Sequence, residues 1–471
     1  MNVAESLRFF IPEIFLLTGA FAAVFVDLFS KNKKAAGVLS LLVLIGTACL
    51  SKHPEGSNFL FFGLFLLDSW THFFRLLALG IVGVTILSSL AYKALPSNDE
   101  GEFYSLFLFM AFGLILMAAS TNLLMIFLSI EFVSLLSYLL TGFLKKDSRA
   151  KEAAIKYLLF GSLASGVMLY GMSLLYGATG SLELSAIQAG ISHSSFNTLS
   201  LIALLFFITG LGFKISAAPF HFWAPDVYEA APTSVTAFLT VGPKALGFAV
   251  MIRVLSVGFP WLAWKWKPLF ALLSILTMTI GNVTAISQNN IKRLLAYSSI
   301  AQAGYILMGI AAANETGLKG VLIYLMAYAF TNLGAFTAVI IASNHFGNDE
   351  LESYAGLAKR SPFLAASLTL FLLSLAGLPP TAGFIGKFYV FSSAIQEKLF
   401  ALAVIAAVNS AVAAFYYFKI VRIMYLVPET DRSPIAHPFP LKLALVLMLT
   451  GVLLMGLIPS PFIAFVKGIF S

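Results

Sequence analysis

The chain has 471 residues, 59% hydrophobic and only 11% charged, whereas a soluble globular domain carries about 25% charged residues. With a mean hydropathy of +0.93 this excludes a soluble globular protein and leaves no room for a sizeable soluble domain; an all-α polytopic membrane protein is predicted. The excess of 29 Lys and Arg over 21 Asp and Glu falls mostly in loops, so no nucleic acid is needed to explain it, and the lone Cys49 excludes an intrachain disulfide and Cys-ligated zinc or iron–sulfur sites.

A membrane-spanning helix needs about 20 mostly apolar residues. Fourteen such segments are predicted, centred near residues 18, 42, 82, 112, 131, 165, 212, 244, 277, 302, 330, 376, 412 and 454. No signal peptide is expected, because Glu5 stands where a basic region belongs, so the first helix stays. The second segment is short, and the fourth and fifth are divided near Ser120–Asn122. Glu13 and Asp27 lie near the ends of the first helix and are expected at the interface.

With both termini outside, sixteen of the 29 Lys and Arg fall in cytoplasmic loops, among them Lys145, Lys146, Lys292, Arg293 and Arg432. Eight fall outside, and five (Arg75, Lys156, Lys214, Lys244 and Lys387) lie within helices. That bias agrees with an even helix count by the positive-inside rule. The Gly/Ser-rich link 177–198, without Lys or Arg, suits an outer loop.

The fifth segment carries Glu131 within LLMIFLSIEFVSLLSYLL. An intramembrane carboxylate is costly and is usually paired or functional; a buried lysine is its natural partner. The sixth carries Lys156 near its cytoplasmic end, where snorkelling to the interface competes with function.

The seventh segment reads FITGLGFKISAAPFHFWAPDVYEA, with Lys214 just before Pro219. Proline breaks the backbone ladder, and broken helices beside buried charge are how membrane proteins build ion sites at mid-depth. This segment is therefore expected to handle protons or cations. His221 follows the break; proton relay and structural hydrogen bonding fit it about equally. Asp226 and Glu229 close the segment, as proton collectors or as solvated helix-end charges. In the eighth, VGPKALGF places Lys244 at the most central lysine position of the chain.

The tenth segment carries Tyr297, Ser298, Ser299, Gln302 and Tyr305. Helical spacing puts several on one face, where a water chain or helix–helix hydrogen bonding would use them. Asn332 and Asn409 are similar cases. The twelfth, SLAGLPPTAGFIGKFYVF, repeats the broken pattern with Pro379–Pro380 and Lys387.

These features recur at spacings of about 167–173 residues: GFK at 212–214 with GFIGK at 383–387, and IKYL at 155–158 with LIYL at 322–325. A five-helix unit, helices four to eight, thus recurs as helices nine to thirteen, and an odd helix number inverts the second copy, as in many transporters. Four regions follow: 1–100 (helices one to three), 101–260 (first repeat), 261–430 (second repeat) and 431–471 (helix fourteen). By that spacing Ser298 stands near the place of Glu131, and Ala413 near that of Lys244. The first half then looks like the loading end and the second like the exit. No phosphate-binding loop is present, because Thr381 occupies its first glycine position, and Gly210 and Gly212 lack the third glycine of a dinucleotide fingerprint. No His or Cys cluster suits a haem or metal. An ion gradient or a partner must supply the energy.

Lys214 with SAAPFHFWAPDVYEAAPT, then VGPKALGF, LPPTAGFIGKFYVF and QNNIKRLLAYSSIAQAGY resemble the antiporter-like membrane-arm subunits of respiratory complex I, the NADH-quinone oxidoreductase. The resemblance covers nearly the whole chain. It implies fourteen helices, two inverted five-helix bundles with discontinuous helices seven and twelve, and similarity to multisubunit cation/proton antiporters, whose subunits are the alternative reading. The family pattern of proton-translocating residues falls on Glu131, Lys156, Lys214, Lys244 and Lys387; His221, Tyr297, Ser298, Gln302 and Tyr305 are secondary candidates. Another subunit of this kind carries glutamate in its twelfth helix, where this chain has Lys387, and no lateral extension is expected after Ser471. The resemblance further implies a translocase subunit with no redox chemistry, cofactor or metal of its own. FMN, iron–sulfur clusters and quinone are expected in partner subunits. The other membrane-arm subunits and the lipid bilayer are the expected partners, in a bacterial inner membrane with both termini periplasmic.

Overall fold

Asparagine, aspartate and glycine punctuate the apolar runs. Asn122 accepts from the backbone N–H of Leu124, and Asp147 from that of Arg149. Asn290 accepts from those of Lys292 and Arg293, and Asn314 from that of Gly317. Each satisfies donors that a helix start leaves orphaned. The computed structural model describes residues 2–54, 56–192, 197–428 and 433–470; Arg432 and part of the 177–198 link lie outside them.

In chain order the elements are α1 (Val3–Phe9), α2 (Ile11–Phe29), α3 (Lys34–Leu50), a hairpin of β1 (Asn58–Leu60) and β2 (Phe65–Leu67), α4 (Ser69–Ser89), α5 (Glu100–Ala119) and α6 (Leu123–Thr141). Then come α7 (Ser148–Thr179), α8 (Leu184–Ser192), α9 (Asn197–Lys214), α10 (Trp223–Ala230), α11 (Thr233–Arg253), α12 (Ala263–Ile286) and α13 (Ile291–Ala312). The rest are α14 (Glu315–Phe346), α15 (Leu357–Arg360), α16 (Pro362–Ala376), α17 (Ala382–Gln396), α18 (Phe400–Leu426), α19 (Phe439–Leu457) and α20 (Ser460–Lys467).

Among the described residues eleven helices are long and apolar enough to cross a membrane, and α3, α9 and α16 are shorter apolar helices. The all-α polytopic class is as expected, and α5 and α6 part at Ser120–Asn122. The hairpin and α8 were not predicted: three-residue strands are too short for a period-2 signal, and α8 lies in the link expected to be loop.

The chain divides into two compact units. The first comprises residues 1–86, 95–215 and 242–265. There α2 packs against α3 and α5, α5 against α6, and α7 against α9. Two carboxylates near the ends of α2 are buried in this unit. Glu13, in its first turn, is 1% exposed and ion-paired with Arg75 of α4, itself 3% exposed. Asp27 is also buried and pairs with Lys33 at 3.0 Å. A cation in reach offsets the desolvation that would otherwise hold a carboxylate at the interface. Arg253, at the end of α11, grips Asp68 through two 3.1 Å hydrogen bonds.

The second unit comprises residues 87–94, 216–241 and 266–471. Its α14 packs against α13, α16, α17 and α19. Asp226 and Glu229 of α10 both accept from Arg293 of α13, at 2.9 and 2.7 Å, so each is a partnered helix-end charge. Asn332 donates to Thr240 at 2.6 Å and is fully buried.

Candidate functional site

α9 stops at Lys214, and turns occupy residues 215–222. Lys214 is 3% exposed, and its Nζ donates to Ser134 Oγ at 3.0 Å. On α6, Glu131, Ser134 and Tyr138 share one face, because residues three and seven apart come back to the same side. Glu131 accepts a hydrogen bond from Ser165 of α7. No direct Glu131–Lys214 ion pair occurs among the described residues; Lys214 donates instead to Ser134, one turn on from Glu131. The Tyr138 hydroxyl is buried with no hydrogen-bond partner in this unit's described residues.

Every residue of α11 is buried, and Lys244 is 2% exposed. One turn on, a Cβ at Gly247 would lie 2.8 Å from Ile215 Cγ2 and 3.6 Å from Lys214 Cγ. α11 therefore lies directly against the Lys214 stem, and the bare glycine permits that approach. Lys244 lies three residues before Gly247, about one turn along α11.

Lys156 is placed differently. Its side chain is 41% exposed and pairs with Glu152 at 2.9 Å. Nine residues separate it from Ser165, two and a half turns at about 3.6 residues per turn, so it occupies the opposite face of α7.

In the second unit α16 ends at Ala376, and Gly377 caps it with φ 84°. This left-handed residue lets the N–H groups of Gly377 and Leu378 both reach Leu373 O at 3.0 Å, closing the helix in the Schellman manner. Lys387, 5% exposed, reaches back across the break. Its Nζ donates to Ala376 O at 2.9 Å and to Ser410 Oγ of α18 at 2.8 Å, and lies 4.4 Å from the centre of the Tyr305 ring. The last carbonyls of a helix have no intrahelical partner and carry the negative end of its dipole, so the break itself supplies an acceptor for the cation.

Around Lys387 runs a polar column. Ser298, Gln302 and Tyr305 lie on one face of α13. Ser298 and Tyr417 hydroxyls are 2.5 Å apart; Gln302 donates to Tyr417 OH at 3.2 Å and to Leu375 O at 3.0 Å, and accepts from Tyr324 OH at 2.5 Å. Asn282 of α12 donates to Tyr305 OH at 3.1 Å and accepts from Tyr416 OH at 3.0 Å; its Nδ2 also reaches Asn409 Oδ1 at 3.2 Å. Tyr297, a residue earlier, is rotated about 100° off this face and is only half-buried, outside the column. His221 is buried in the turn after Lys214, its ring stacked on Phe222 at 4.6 Å.

Sequence reasoning missed Ser134, Ser165, Asn282, Tyr324, Ser410 and Tyr417. Only the position of Ser134, three residues after Glu131, signalled its role. No cluster of three His, Cys, Asp or Glu suited to a metal occurs among the described residues.

Lysines buried beside two helix breaks, in a bundle of this size, define an antiporter-like membrane protein. The family profile described as NADH:quinone oxidoreductase/Mrp antiporter, TM matches residues 120–413, and the chain belongs to that family. It is 41% identical to the NADH-quinone oxidoreductase subunit N of Trichlorobacter lovleyi, over 99% of this chain and 98% of the relative. It is also 41% identical to that of Dehalococcoides mccartyi, over 96% of each. Among solved structures it resembles a chain of respiratory complex I from Thermus thermophilus with a TM-score of 0.82 and 32% identity, covering 96% of this chain and 98% of that one. A chain of the Mrp complex from Dietzia sp. shares the fold, with a TM-score of 0.85, 20% identity and coverage of 99% and 97%.

Proposed function

We propose that this chain is subunit N of an NADH-quinone oxidoreductase and carries protons through its membrane arm. The observation behind this reading is the pair of lysines buried at two helix breaks, in a chain alike along its whole length to relatives of that name. Quinone reduction in partner subunits, which hold FMN and iron–sulfur clusters, changes the Glu131–Lys214 arrangement. Lys214 passes its proton towards Lys244, and Lys387 exchanges a proton with the far side. Lys156, facing outward on α7, is the peripheral member of the set, and His221 with the Ser298–Gln302–Tyr305 column are its secondary groups; Tyr297 is the weakest of these. The two halves act as inverted repeats, 101–260 and 261–430, and the charge bias supports periplasmic termini in a bacterial inner membrane.

An affinity-tagged copy of the chain, expressed in its own host, is expected to co-purify with flavin and iron–sulfur subunits and NADH:quinone reductase activity. Recovery with other antiporter-type subunits and no redox protein would instead establish a cation/proton antiporter.

Gly377 gives a second test. It holds φ 84°, and a Cβ there would fall 2.5 Å from Lys387 Cδ. A Gly377→Ala variant is expected to lose NADH-driven proton uptake by about tenfold or more, since displacement of a reacting group by about 1 Å is enough for such losses. Uptake by inverted vesicles, normalised to assembled complex, reads the effect; wild-type uptake would show that the position of Lys387 is immaterial.

A further inference from the structure

We propose that Tyr305 is a positioning residue whose ring face, not its hydroxyl, stabilises the proton-loaded form of Lys387. This rests on the reading that Lys387 carries a transported proton.

An ammonium group has three donors and no acceptor. Two of the Lys387 donors are taken by Ala376 O and Ser410 Oγ. The remaining neighbour is the Tyr305 ring, 4.4 Å from Nζ to its centre. No carboxylate forms an ion pair with Lys387 among the described residues of this unit. A ring face attracts a cation through its quadrupole, most strongly where water is excluded, and Lys387 is 5% exposed. A neutral amine gains little from that field. The ring therefore adds to the discrimination between the loaded and the unloaded lysine.

The hydroxyl is committed elsewhere. It accepts from Asn282 Nδ2 at 3.1 Å, and Asn282 is in turn held by Tyr416 OH at 3.0 Å and by Asn409 Oδ1 at 3.2 Å. These bonds anchor the hydroxyl end of the ring, where Ser410 also lies close, while Nζ stands over the ring itself. α17 also packs against α14, where Tyr324 lies at Gly386, against α18, with Ser410, and against α19. No acidic side chain of these helices ion-pairs with Nζ among the described residues.

The test uses the assembled complex in inverted membrane vesicles. Tyr305→Leu, Tyr305→Phe and Tyr305 replaced by phenylalanines bearing one, two or three ring fluorines are compared for proton uptake per NADH oxidised, with subunit content as the control. Tyr305→Leu is expected to lower uptake about tenfold, Tyr305→Phe to recover a clear part of that loss, and each fluorine to lower uptake again from the phenylalanine level as the ring face loses negative potential. A phenylalanine variant as poor as the leucine one, or a flat fluorine series, would overturn the proposal. The near-isosteric fluorine series decides the matter even if the leucine variant fails to assemble. Unchanged uptake in Lys387→Ala would sink the underlying reading instead, and so keeps the two failures apart.

Discussion

Substituting Lys244 is expected to stop proton transfer without harming the fold. Lys244→Ala and Lys244→Arg should each lower NADH-driven proton uptake per electron by about tenfold or more, within the range that a positioned acid–base group contributes. The arginine variant is the informative one: it keeps the charge, but a guanidinium does not release its proton in proteins. If only charge were needed, Lys244→Arg would pump normally. Assembly points the other way from activity. A lysine at mid-membrane costs about 2.5–3.5 kcal/mol on insertion scales, and every residue of α11 is buried, so the alanine variant should insert and assemble at least as well as wild type. Uptake is read as a pH change across inverted vesicles and assembly as complex content on native gels. Wild-type pumping stoichiometry in an assembled Lys244→Ala complex would remove Lys244 from the path.

The second large effect concerns the Glu13–Arg75 pair. Glu13 and Arg75 are 1% and 3% exposed. Deleting one member of such a pair leaves a buried uncompensated charge and costs about 3–5 kcal/mol, whereas replacing both by apolar residues of similar volume is often close to neutral. Glu13→Ala is therefore expected to reduce the chain in membranes severely. Glu13→Leu combined with Arg75→Met should recover most of it. Thermal unfolding of the detergent-solubilised complex, followed with membrane abundance, measures both. Equal losses in the single and double variants would assign the pair a role beyond neutralising each other.

Much of this architecture was legible in the chain because membrane burial imposes coarse rules. Apolar runs of spanning length set the helix count. Pro219 and Pro379–Pro380 marked the breaks, since proline cannot complete the ladder. Lys214, Lys244 and Lys387 stood out because a mid-membrane cation needs a reason. The partners of these lysines did not stand out. Ser134, Ser165 and Ser410 look like ordinary small packing residues on apolar helices, and only three-dimensional placement turns them into ligands of Lys214, Glu131 and Lys387. The partner of Glu13 was hidden for the same reason: Arg75 reaches it from another helix, and no periodicity reports that meeting. Tyr297 stands one residue before Ser298, which on a helix is a rotation of about 100°, so the spacing alone did not say which of the five polar residues share the face.

The carbonyl of Ala376, exposed by the break between α16 and α17, has a further consequence. Glu131, one turn before the Ser134 that holds Lys214, is a side chain and can change rotamer. A peptide carbonyl has no such freedom, and side-chain mutation cannot delete it. Lys387 thus keeps one acceptor that no side-chain replacement can remove, whereas the acidic group nearest in sequence to the Lys214 ligand is a side chain.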